Sequence, residues 1–145
     1  MKARQNKASR EVHRQGSNNK ENPNQNICAY AVACAGGVED SVKYLHTIDD
    51  LKRAYQSRFS LASRLSMFGG RNASVAKAQA MMRELPNPLN SRGSECRGYL
   101  VWIEGHIILT DCNGNVIVDT DPRKSDRRKV QGIWAVYPKK NRGWL

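Results

Sequence analysis

A chain of 145 residues, 39% hydrophobic and 26% charged, is the size of one domain and can bury a core without disulfide staples. It has no apolar run long enough to span a bilayer, and its first 26 residues lack the apolar stretch of a secretory signal. This argues against a membrane role or a secreted disulfide scaffold, and the expected location is the cytoplasm or a viral particle assembled there. The four cysteines are then reduced thiols. No Cys-x-x-Cys pair signals zinc; Cys96, His106 and Cys112 are the one conceivable set, and no metal or cofactor is expected.

The net charge of +11 lies at the ends. Residues 1–24 carry six basic against two acidic residues, 123–145 carry eight against one, and 25–122 carry ten of each. Basic segments are therefore attached to a neutral fold. Such segments attract polyanions, and the candidate nucleic-acid contacts are Lys2, Arg4, Lys7, Arg10, Arg14, Arg123, Lys124, Arg127, Arg128 and Lys129. A merely solubilising charge run fits the same composition. The organisation read from this is a polar basic arm at 1–25, a folded domain at 26–138 and a basic tail at 139–145.

In chain order, Ile27–Ala35 is small, apolar and free of breakers, follows the good cap Asn26 and ends at Gly36-Gly37, which predicts a buried helix. Val38, Val42 and Leu45 give a second helical stripe. Thr47 caps a third helix, with Asp49 and Asp50 at the positive end of its dipole. Ser60–Phe68 reads as a short helix closed by Gly69-Gly70, and Asn72 or Ser74 caps another that stops before Pro86. The period then changes to β. Tyr99–Ile103, His106–Asp111, Val116–Thr120 and Val130–Tyr137 are strands, with turns at Glu104-Gly105 and Asn113-Gly114. The fold class is α+β, with N-terminal helices packed on a small antiparallel sheet of about four strands.

If Asn113 and Gly114 are the two loop residues, Ile108 faces Asp119 and His106 faces Asp121. A His–carboxylate pair follows from the hairpin alone, with Asp121 as the partner of His106 and Asp119 as the alternative under a bulge or wider loop. Cys28, in the first turn of the buried helix, is the candidate nucleophile, because the helix dipole and free N–H groups there favour a thiolate. The helix-then-sheet order lets this helix pack across the face on which His106 sits. The same cysteine also fits a plain core position, and His106, Asp119 and Asp121 also fit a strand end and a turn before Pro122.

The order of Cys at a helix start, then His opening the strand in Gly105-His-Ile-Ile-Leu109, then the acid in Val116-Ile-Val-Asp-Thr-Asp-Pro122, resembles the papain-like cysteine peptidase superfamily. The nearest pattern among its compact members is the bacteriocin-leader peptidase domain of export transporters. The resemblance covers residues 26–137 and implies a papain-like fold. It further implies a thiol hydrolase of peptide or isopeptide bonds acting on a peptide or protein, with Cys28 as nucleophile, His106 as base and Asp121 as orienting acid. The family's oxyanion Gln, six residues before the Cys, is Asn22 here; Gln25 and Asn26 are the nearby substitutes. An inactive derivative of such an enzyme is also consistent with the departure. The alternative function is a non-catalytic virion or nucleic-acid-associated protein that binds nucleic acid or an assembly partner through its basic arms.

Overall fold

The computed structural model describes residues 26–85, 89, 93–121 and 127–139. Helix α1 (Ile27–Ala35) begins where Asn26 turns out of extended backbone and its side-chain oxygen accepts from the Cys28 and Ala29 amides. It ends in a pair of closing bonds, Val38 N to Ala33 O at 2.9 Å and Gly37 N to Cys34 O at 3.0 Å. This closure places residue 37 in the left-handed region, at φ +68°, where glycine carries no Cβ penalty. The segment after it is not the expected helix. Val38–Leu45 forms turns and bends, and only Val38 and Leu45 of the three apolar positions are buried. Helix α2 (Ile48–Gln56) has the full capping box, with Thr47 and Asp50 each accepting the other's backbone N–H.

Strand β1 (Phe59–Ser63) corrects a second expectation, since Ser60–Phe68 read as a short helix. Phe59–Ser63 instead extend along the edge of β5, pairing Phe59 with Pro138 through Ser63 with Trp134, and 65–69 form turns. Five hydrogen-bonding partners in a row override a weak helical period. Helix α3 (Val75–Glu84) is capped by Ser74. Strands β2 (Gly98–Ile103), β3 (His106–Thr110), β4 (Val116–Val118) and β5 (Val130–Pro138) complete a five-stranded antiparallel sheet in the order β1-β5-β2-β3-β4, one strand more than expected.

The sheet separates two apolar layers. Leu100, Trp102, Ile107, Leu109, Trp134 and Val136 project toward α1 and α2, whose Cys28, Val32, Leu51 and Tyr55 complete that layer. Tyr99, Val101, Ile108, Ile133 and Tyr137 project toward α3, meeting Val75, Ala78, Met82 and Phe68. All five residues of β3 are buried, as expected of a strand covered on both faces. Among the described residues, no helix is long and apolar enough to cross a membrane.

The β3–β4 hairpin differs from the two-residue turn expected at Asn113-Gly114. Gly114 N donates to Asp111 O at 3.1 Å and Asp111 N to Asn115 O at 2.8 Å, so Cys112, Asn113 and Gly114 form a three-residue loop. Gly114 takes φ +84°, as the last residue of such a loop must. The Asp111 carboxylate accepts from the Asn113 and Asn115 amides at 2.8 and 2.9 Å and braces the turn. Thr110 then pairs with Val116 but Leu109 with Val118, so Ile117 is an extra residue in a bulge. The longer loop and the bulge offset one another, and beyond them the strands return to the register the shorter turn would have set.

Candidate functional site

Three local features converge at the open end of β3. The first is the N-terminus of α1, where Asn26 is fully buried and Cys28 is 2% exposed. Asn26 N donates to Leu45 O at 2.8 Å, anchoring the cap. Asn26 Oδ1 accepts from Cys28 N at 3.0 Å, Ala29 N at 3.4 Å and the Cys28 thiol at 3.0 Å. These donors identify that atom as the amide oxygen. The other end, Nδ2, is then an NH₂ that is buried and has no hydrogen-bond partner among the described residues.

The second feature is the start of β3. β4 pairs only with Leu109 and Thr110, which leaves the His106–Ile108 edge of β3 open on that side. The Ile107 N–H bears on the Cys28 sulfur there. α1 lies across the face carrying Ile107 and Leu109, not the face carrying His106 and Ile108, contrary to expectation. Among the described residues the His106 ring makes no hydrogen bond to Cys28; the cysteine meets the strand edge at Ile107, the next residue in the chain. Burial pushes the Cys28 thiol up to about 12; the N–H groups of Ile107, Ala29 and Cys28 itself pull it down, and the negative charge of Asp119 adds to the rise.

The third feature is the carboxylate. His106 is 1% exposed, and its Nε2 lies 2.8 Å from Asp119 Oδ1. The ring thus meets Asp119, the alternative acid, and not Asp121. Asp119 reaches it on the diagonal of the strand pair, and Asp121, 2% exposed, turns its backbone N–H to the same Asp119 oxygen at 3.0 Å. Arg128 Nη2 holds the other oxygen of Asp119 at 2.7 Å, and its Nη1 lies 3.9 Å from Asp121. Burial by itself would raise the Asp119 carboxyl. The His106 ring, the Arg128 guanidinium and the Asp121 amide outweigh it and hold the carboxyl well below the usual range. An ionised carboxylate only accepts, so Nε2 carries a proton, and in the neutral form of the ring Nδ1 is the acceptor. Nδ1 is buried and has no hydrogen-bond partner among the described residues.

Asn22, Gln25, Lys2, Arg4, Lys7, Arg10, Arg14, Arg123 and Lys124 lie outside the described residues. Arg127 and Lys129 are exposed, while Arg128, counted with them as a phosphate contact, turns inward to Asp119. The charge pattern could not distinguish these neighbours, because all three are simply basic. The unpartnered amide of Asn26 was equally hidden behind its role as a helix cap. Among the described residues, no group of three or more His, Cys, Asp or Glu side chains is arranged to hold a metal ion.

No protein-family model matches the chain, and neither a curated protein nor a solved structure matches it.

Proposed function

We propose that the chain is a thiol hydrolase of the papain-like kind, acting on a peptide or isopeptide bond, with Cys28, His106 and Asp119 as its reacting group. The observation that carries this reading is the state of His106. Its Nε2 is held by a buried carboxylate at 2.8 Å, its Nδ1 has no hydrogen-bond partner among the described residues, and the next residue in the chain, Ile107, turns its amide to the Cys28 sulfur. A neutral ring fixed in one tautomer by an ionised acid is a general base. In the proposed step the sulfur attacks the acyl carbon as Nδ1 takes the thiol proton. The bond to the leaving amine breaks as that proton passes to its nitrogen, and water then hydrolyses the thioester. The thiol is neutral at rest, so proton removal accompanies attack rather than preceding it. The unpartnered Asn26 NH₂, on the residue that accepts from the thiol, is the donor offered to the oxyanion.

The test is acylation of the full chain by p-nitrophenyl acetate, followed by intact mass and peptide mapping. One acetyl group on Cys28 that forms and then clears supports the reading, and Cys28→Ser should lack it. A Cys28 that remains unmodified while exposed Cys34 reacts would overturn it.

The burial of Cys28 and its raised thiol favour a second reading, in which the fold is an inactive derivative and the basic ends provide the function. Nucleic-acid binding would then weaken steeply with salt, because each neutralised phosphate releases a counterion. Deleting residues 1–24 should flatten that salt dependence; equal binding by the truncated and intact chains would exclude the N-terminal arm.

A further inference from the structure

We propose that Arg128 is a positioning residue, which grips Asp119 from the side opposite His106 and so fixes the ring in the tautomer with Nδ1 bare. Its place in a catalytic cycle rests on the thiol-hydrolase reading above; its hold on the ring does not. A carboxylate offers two oxygens, and here each has one side-chain partner. Oδ1 takes His106 Nε2 at 2.8 Å and Oδ2 takes Arg128 Nη2 at 2.7 Å. The Asp119 side chain is 1% exposed and that of Arg128 12%, so water does not substitute for either bond. The guanidinium is planar and presents its nitrogens as a fork, which lets one side chain address Asp119 and lie 3.9 Å from Asp121 at once. A lysine at 128 would keep the charge but offer a single point.

The backbone reinforces the placement. Val75 N donates to Arg128 O at 2.9 Å, and the next residue, Lys129, bridges to Ser74 at the cap of α3. The residue that holds Asp119 is thus fixed to α3, on the layer of the sheet opposite α1. Arg128, Asp119 and His106 form one chain of polar groups anchored to α3. With the guanidinium gone, Asp119 Oδ2 loses its side-chain partner, the carboxylate is held through Oδ1 alone, and the preference for a proton on Nε2 weakens.

The experiment is ¹⁵N NMR of the histidine ring in the full chain, followed across pH and read where the ring is neutral, which separates a bare from a protonated ring nitrogen. The unaltered chain should show His106 with Nδ1 bare and Nε2 protonated. Arg128→Gln should mix a second state with Nδ1 protonated into that signal, and Arg128→Lys should fall between the two. Arg127→Gln removes the same charge from an exposed neighbour and should leave the ring unchanged. A ring signal unaltered in Arg128→Gln, or altered equally by Arg127→Gln, would overturn the proposal. If Arg128→Gln does not fold, Arg128→Lys decides alone: a mixed ring supports the proposal and an unaltered one overturns it. Acylation of Cys28 is read separately, so a chain that fails to acylate yet shows the tautomer shift rejects the hydrolase reading and keeps this one.

Discussion

Asn26 does two separable things at the residue scale. Its oxygen caps α1 and accepts from the Cys28 thiol, and its NH₂ is buried without a hydrogen-bond partner among the described residues. Asn26→Ala removes both and should cost about 0.5–2 kcal/mol of stability, the usual range for a lost cap. Asn26→Asp keeps an accepting oxygen and adds a negative charge at the positive end of the helix, so the cap should survive. It also replaces the donor with an acceptor. Acylation of Cys28 should therefore fall by roughly 10²–10³-fold in Asn26→Asp, the effect of losing one oxyanion donor. Undiminished acylation in Asn26→Asp would remove Asn26 from the chemistry and leave it as a cap. The cap was legible in the sequence, because an Asn before a breaker-free apolar run has few other uses. Its unpartnered NH₂ was not, because that depends on what the fold places around it.

The β3–β4 hairpin sets the geometry of the site at the element scale. The three-residue loop and the bulge at Ile117 offset one another, so Asp119 still falls on the His106 face although the turn is longer than Asn113-Gly114 implied. Gly114 is the residue that cannot change. It sits at φ +84°, and a Cβ there would come within 2.9 Å of Gln79 O, on the helix to which the loop is tied by Gln79 Nε2 to Gly114 O at 2.8 Å. Gly114→Ala should cost about 1–2 kcal/mol in backbone strain, a fall in Tm of roughly 2–8 °C, with the close contact adding to it. A Tm equal to that of the unaltered chain would contradict the loop geometry. Strands β2, β3 and β5 were legible because a run of consecutive large apolar residues suits a strand buried on both faces. β1 was not, because Ser60–Phe68 runs up to Gly69-Gly70 as a short helix would, and only the pairing of Phe59–Ser63 with β5 makes its first part a strand. The Val38–Leu45 stripe failed for a related reason: the closure at Gly37 turns the chain, and the bends that follow bury Val38 and Leu45 without a helix.

For the whole molecule, the buried titratable groups give a pH dependence with a definite sign. Burial raises the Cys28 thiol from about 9.0 to about 12, and burial likewise raises the Tyr55 and Tyr99 hydroxyls. Above about pH 9 the unfolded chain releases protons that the folded chain keeps, so stability falls as pH rises. Cys28→Ala removes one of these groups, and its Tm should decline less steeply between pH 9 and 11; parallel declines would mean that the thiol is not buried as described. Asp119 acts at the other end of the scale. Its lowered carboxyl contributes stability that is complete above the ordinary carboxylate value of about 3.8 and is lost as pH falls below it. The neutral middle of the chain, with its basic residues gathered at the ends, was plain in the sequence. That one of those residues, Arg128, belongs to the buried site was not, since an inward and an outward arginine look alike in a charge count.

On the proposed reading Cys28 and His106 act as one chemical unit, His106 being the chain neighbour of Ile107, whose N–H bears on the Cys28 sulfur. The most direct measurement is the rate of Cys28 acetylation by p-nitrophenyl acetate at pH 7, resolved by site, in the unaltered chain and in His106→Ala. General-base assistance contributes roughly 10²–10⁴-fold, so the Cys28 rate should drop by about that factor while the exposed Cys34 reacts at the same rate in both chains. Equal Cys28 rates in the two chains would contradict the account.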